Sequence, residues 1–306
     1  MGKETRMMKK ILSVLLATVL LCSLVSCGAR GGTKRGHFNI VTTFYPVYVT
    51  TLNIIDGADR VTLTNMTDPE IGCLHDYILT SADMKLISNS NLVIANGLNM
   101  EPFIGNVSFG IPGLEVIDCG EDVPDKIGEY TEENPHYWMN IDNTIAQCEK
   151  IRKNLCRLNP ENAAVYNKNA EEYTKKLNDL KKEVSERTAE LKNRDVPVIH
   201  DSFEYFAAAY GLNTISLLDE YNEREPASEQ AEQIAIEIKR NEIETIFVNK
   251  KEKSSSVVRS VAKETKCKVV ALDMLTVGEI DENTKDAYLN AIRGNLDLLE
   301  ENLRKK

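Results

Sequence analysis

Several chemistries are missing from this chain of 306 residues. There is no HExxH stretch, so the two-histidine helix of zinc proteases is absent. No GxSxG marks a nucleophile elbow, and no GxxxxGKS or GxxxxGKT offers a phosphate cradle. Basic charge is also short: 37 Lys and Arg stand against 47 Asp and Glu, a net charge of −10. Nucleic acid needs a basic footprint, so that class of partner is excluded. An acidic body suits a solvated protein or one that attracts cations. Histidine is scarce, with only His37, His75, His136 and His200. Seven cysteines are present without a single CxxC pair.

What is present begins with a leader. Lys3, Arg6, Lys9 and Lys10 precede "ILSVLLATVLLCSLVS" (residues 11–26), an uncharged run too short for the roughly 20 residues of a spanning helix, and therefore an export signal over residues 1–26. Its end, "LVSC" (24–27), resembles the lipobox of bacterial lipoproteins. That resemblance implies cleavage before Cys27 and a thioether link from Cys27 to a diacylglycerol, whose two chains suffice for stable anchoring. Residues 27–36, with "GARGGTKRG", read as a tether. Without residues 1–26 the charge falls from −10 to −13, and the remaining 280 residues predict two domains. Cys73, Cys119, Cys148, Cys156 and Cys267 are then an odd set. Cys148 and Cys156 lie about 12 Å apart along one predicted helix, beyond bridging distance. We expect mostly buried free thiols. Cys73 stands out because it lies two residues before His75.

Short β-branched runs then alternate with amphipathic segments. "HFNIVTTF" (37–44), "RVTLTNM", "NLVIANG" and "LEVID" predict strands, while Pro46–Ile55, closed by Gly57, and "SADMKLIS" predict helices. Beyond residue 195, "VPVIHD", "NTISLLD", "ETIFVN" and "KVVALD" predict strands between helices at "SFEYFAAAYG", at "SEQAEQIAIEIKRN" capped by Ser228, and at 282–303. Interleaving of this kind implies α/β architecture with parallel central sheets. Between the two series, residues 159–195 lack Gly and carry their only Pro near the start. They predict one long helix over about 160–193, striped by Leu177, Leu180, Val184 and Leu191. The stripe covers barely two heptads, so a rigid strut fits better than a coiled coil. The expected plan is two (β/α) lobes, residues 37–158 and 196–306, joined by one long backbone helix at 159–195.

Three histidines fall in matching places. His75 follows the second strand, His136 lies in "NPHYWMN" before a helix, and His200 ends "VPVIH"; Asp273 ends "KVVALD". In parallel α/β sheets, ligands are presented from the carboxyl ends of strands. Three imidazoles and a carboxylate form a nitrogen and oxygen shell suited to zinc and, less tightly, manganese. His37 lies outside every motif.

"GCLHDYILTSADMKL" resembles the first ligand loop of the zinc and manganese solute-binding lipoproteins of bacterial ABC importers, the long-helix type. "NPHYWMN", "VIHDSFEYFAAAYGL", "EREPASEQ" and "ALDMLTVGE" are similar to further segments of that family in the same order. The resemblance implies that His75, His136, His200 and Asp273 bind one Zn2+, or alternatively Mn2+, between the lobes. It also implies a monomeric, lipid-anchored receptor on the extracytoplasmic face of the cell membrane, which delivers its ion to an ABC permease and is no enzyme. Departures are visible. Met274 and Leu74 stand where relatives carry Pro, Asn249 lies where an extra charged ligand is common, and residues 100–133 hold no His-rich loop. A third His at position 200, where manganese-preferring relatives place a carboxylate, argues for zinc. Asp76 and Asp201 are alternative ligands or acceptors for an imidazole N–H. The rival readings are a secreted zinc-dependent hydrolase, for which Glu204 is the one nearby base and reads as a helix-face residue, and a lipoprotein with a mainly adhesive role.

Overall fold

The computed structural model describes residues 36–68, 71–75, 77–128, 133–217 and 230–303. The signal peptide, Cys27, Asp76, Ser228 and most of "EREPASEQ" lie outside the described residues. By its contacts the chain divides into residues 1–37 and 38–306, and every described helix and strand belongs to the second unit.

Two four-stranded parallel sheets are present. In the first, β1 (Phe38–Thr42), β2 (Val61–Asn65), β3 (Leu92–Ala95) and β4 (Glu115–Asp118) stand in the order β2-β1-β3-β4. In the second, β5 (Asp195–Val198), β6 (Asn213–Ser216), β7 (Thr245–Asn249) and β8 (Lys268–Leu272) stand in the order β6-β5-β7-β8, the same order shifted by four. Of the inner strands, β3 is continuously apolar, as burial on both faces favours, and all four residues of "LVIA" are buried. Edge strand β2, "VTLTN", instead alternates half-buried with exposed positions.

Helices cover the sheets. In the first half they are α1 (Tyr45–Ile55), α2 (Ser81–Ser88), α3 (Ile104–Gly110) and α4 (Ile141–Leu158). Pro46 sits in the first turn of α1, where its missing N–H costs nothing. Thr80 and Asp83 cap α2 reciprocally: the Asp83 N–H donates to Thr80 Oγ1 at 3.2 Å and the Thr80 N–H to Asp83 Oδ2 at 2.8 Å. In the second half they are α6 (Glu204–Ala209), α7 (Gln230–Arg240), α8 (Ser256–Thr265) and α9 (Ala287–Leu303).

The long helix is α5 (Ala163–Ala189), 27 residues and about 40 Å. It follows the separate helix α4 after a 3-10 turn at Pro160–Asn162. Its buried face is Tyr166, Ala170, Tyr173, Leu177, Leu180, Val184 and Thr188, a stripe spaced by three and four residues. That stripe packs on α1, α4 and α9. The helix is therefore bedded in the largest hydrophobic cluster, which includes residues adjoining both sheets, rather than standing as a bare strut. No described helix is long and apolar enough to cross a membrane.

Candidate metal centre

All four candidate ligands lie beyond the carboxyl ends of parallel strands: His75 after β2, His136 after β4, His200 two residues after β5, and Asp273 directly after β8. The structure brings the three histidines together. Ring centroids are 5.9 Å apart for His75 and His136 and 5.1 Å for His136 and His200. Among the described residues, two groups place their ligand atoms within 4.8 Å of one another. They are Cys73, His75 and His136, and His136, His200 and Asp201. His136 is common to both.

His136 is braced from behind. It is fully buried, and Asn134 Oδ1 accepts its backbone N–H at 2.9 Å and meets its ring Nδ1 at 2.8 Å. The Asn134 amide nitrogen donates to the Asp201 carbonyl at 3.3 Å and to Glu204 Oε2 at 3.2 Å, which assigns Oδ1 as the acceptor. The imidazole hydrogen thus sits on Nδ1 and the lone pair on Nε2, which faces Cys73 Sγ at 3.2 Å. Burial, then the neighbouring His200 and His75, hold the His136 pKa well below its ordinary value. A neutral imidazole is the form that binds a metal. Behind it, Asn96 donates to the Pro135 carbonyl at 3.0 Å and accepts from the Tyr137 hydroxyl at its own carbonyl, also at 3.0 Å. Buried Glu101 accepts the N–H groups of Asn96 and Gly97 at 2.9 and 3.0 Å. Burial pushes its pKa up to about 7, against the hydrogen bonds that lower it.

His200 is held less decisively. Its Nδ1 accepts the Ser202 N–H at 3.1 Å and also lies 3.1 Å from Asp201 Oδ1. These partners ask for opposite tautomers. A hydrogen on Nδ1 suits Asp201 and leaves Nε2 open to a cation; a lone pair on Nδ1 suits Ser202 and closes Nε2. Asp201 Oδ1 also lies 3.9 Å from His136 Nδ1, so it occupies the rear, Nδ1 side of both rings.

The carboxylate of Asp273 belongs to neither group. Its Oδ1 accepts the Leu275 N–H at 2.9 Å, Oδ2 lies 3.6 Å from Lys250 Nζ, and the side chain faces a cavity of about 420 Å³ lined also by Tyr45 and Gly278. The neighbouring backbone does reach the histidine loop. Trp138 Nε1 donates to the Met274 carbonyl at 2.9 Å, and the Tyr288 hydroxyl donates to the Trp138 carbonyl at 2.7 Å. Tyr205, on α6, donates to the Asn134 carbonyl at 2.8 Å. These bonds fasten residues 134–138 to the second sheet's side.

Three contributors escape sequence reasoning. Asn134 is visible there only as a neighbour within "NPHYWMN". Glu204, read from the sequence as a helix-face residue, does open α6, where it is mostly withdrawn from solvent, hydrogen-bonded to Asn134, and carries a pKa raised first by burial. Cys73 stands out by its spacing, but its contact with His136, 63 residues away, needs the fold.

Two parallel sheets whose carboxyl-end loops bring three imidazoles together define an α/β class with its candidate ligand site at the strand ends. The chain belongs to the family described as zinc-uptake complex component A, periplasmic, whose sequence profile matches residues 40–302. Zinc-binding protein AdcA of Streptococcus pyogenes is 26% identical over 98% of this chain, which spans 61% of AdcA's length. The metal ABC transporter substrate-binding lipoprotein SsaB of Streptococcus sanguinis is 25% identical, over 97% of this chain and all of SsaB. The solved Zn(II)-bound AdcA of Streptococcus pneumoniae matches with a TM-score of 0.75 and 25% identity, covering 89% of this chain and 59% of that one. A Pseudomonas aeruginosa solute-binding protein, FpvC with Mn2+, matches with a TM-score of 0.72 and 23% identity over 88% of this chain and 98% of its own; that likeness speaks to the fold alone.

Proposed function

We propose that this protein is an extracytoplasmic receptor, lipid-anchored through Cys27, that binds a divalent transition metal between its lobes and delivers it to an ABC permease. Zinc is the first choice and manganese the second. The observation that carries the reading is the convergence of His75, His136 and His200 from loops at the ends of both sheets, with His136 held neutral and its Nε2 facing inward. Three imidazoles favour a borderline ion over a hard one. The kinship with AdcA and SsaB, named as zinc-binding and as a substrate-binding lipoprotein of an ABC transporter, supports a binding role over a hydrolytic one.

Asp273 is proposed as the site's carboxylate. It stands beside Met274, which Trp138 ties to the histidine loop, and a dication would replace Lys250 as its counter-charge. On the second sheet, Asp201 would select the His200 tautomer whose Nε2 is open. Because the ligand set must be deprotonated, affinity falls as the medium acidifies. Metal analysis of the purified chain tests the reading. One zinc per purified chain, no longer retained at that stoichiometry in His200→Ala and Asp273→Ala, supports it; absence of stoichiometric metal, or water-accessible zinc with hydrolytic turnover, contradicts it.

A further inference from the structure

Resting on that reading, we propose that Cys73 is a metal ligand and that its thiolate, together with His75 and His136, makes the centre selective for zinc over manganese. Cys73 Sγ lies 3.2 Å from His136 Nε2, and one His75 nitrogen joins both within 4.8 Å. Zinc bonds of about 2.3 Å to sulfur and about 2.0–2.1 Å to nitrogen, meeting at about 110°, hold sulfur and nitrogen about 3.5 Å apart, and with His200 and Asp273 the shell would be five-coordinate. The observed separation therefore needs only a small opening to accept an ion.

The side of the ring matters as much as the distance. Asn134 and Asp201 lie toward Nδ1 of His136, whereas Cys73 lies toward Nε2, the nitrogen left with its lone pair. Without a cation, the thiol hydrogen would donate into that lone pair. On loading, the S–H bond breaks, its proton passes to solvent water, and new bonds run from the cation to Sγ and Nε2. The cation takes the place of the shared proton.

The other described cysteines have no such setting. Cys119, Cys148 and Cys267 are buried, and burial pushes the Cys148 thiol up to about 12. None of the four, including Cys156, joins a group of potential ligands among the described residues. Soft thiolate binds zinc in preference to manganese, which favours oxygen donors. A sulfur ligand would thus settle the choice of ion that a third histidine only biases.

X-ray absorption of the zinc-loaded full chain tests this. We expect one sulfur at about 2.3 Å beside nitrogen and oxygen at about 2.0–2.1 Å, lost in Cys73→Ser and kept in Cys156→Ser. Zinc preference over manganese in competition falls at least about tenfold in Cys73→Ser. Wild-type zinc with only nitrogen and oxygen neighbours overturns the role of Cys73 while leaving the receptor reading intact. A sulfur that persists in Cys73→Ser overturns it as well. Failure of the wild type to retain either zinc or manganese defeats the receptor reading itself, whereas retention of manganese without zinc overturns the selectivity assigned to Cys73. Should Cys73→Ser fold poorly, the wild-type spectrum alone decides.

Discussion

The two sheets repeat one strand order, β2-β1-β3-β4 and β6-β5-β7-β8, yet the loops at their carboxyl ends are furnished differently. The first sheet's loops carry Cys73, His75 and His136, and the central ring among them is fixed by Asn134 and backed by a buried hydrogen-bond network around Glu101. The second sheet's loops carry His200, Asp201 and Asp273. There His200 sits between partners that favour opposite tautomers, and Asp273 is engaged with Leu275 and Lys250. The contrast teaches that one scaffold can supply a preorganised half-site and an adjustable one. A cation would seat first on the former and recruit the latter.

Breaking the comparison at its centre gives the largest effect. His136 is the one residue shared by both ligand groups, so His136→Ala should abolish stoichiometric zinc binding in calorimetric titration. His200→Ala should weaken binding yet leave residual affinity from the first sheet's ligands. Equal losses in the two variants would erase the distinction between the half-sites. Next come the orienting residues. Asn134→Ala should cost about 10–100-fold in zinc affinity, and Asp201→Ala should fall at the lower end of that range, because Asn134 also fastens Asp201 and Glu204 across the seam. A larger loss for Asp201→Ala would show that tautomer selection at His200 dominates.

Smaller effects concern the scaffold. A Cβ on Gly278 would stand 2.3 Å from the Tyr45 ring, while the Tyr45 hydroxyl donates to the Glu279 carbonyl at 3.0 Å. Gly278→Ala should therefore destabilise the protein by about 1–3 kcal/mol through overpacking, measurable by urea unfolding. Glu101 supplies a pH signature. Its folded pKa of about 7 exceeds the ordinary 4.5, so the folded state binds the extra proton between those values. Its contribution to stability is fully present below about pH 4.5 and is lost as pH rises through about 7. The carboxyl titration should be visible near neutrality by NMR, and a midpoint near 4.5 would contradict the effect ascribed to burial.

Much of this plan is legible in the sequence because it rests on period and position. Continuous apolar runs such as "LVIA" announce buried parallel strands, and histidines just past such runs point to one rim of each sheet. The face of α5 is only half visible: Leu177, Leu180 and Val184 mark it, but Tyr166, Ala170 and Tyr173 carry it on through residues that read as surface or neutral. Helix α3, "IGNVSFG", escapes because its two glycines and two β-branched residues weaken any helical signal, and α8 lies hidden behind the polar run "KKEKSSS", whose Ser255 turns out to cap it. At the site, the contact between Cys73 and His136 and the bracing by Asn134 depend on side-chain directions that no spacing reports.

The most direct test is anomalous diffraction at the zinc absorption edge from crystals of the zinc-loaded protein. The account predicts a single strong peak about 2.0–2.1 Å from one nitrogen of each of His75, His136 and His200. A peak bound by histidines of only one sheet, or by none of them, would contradict it.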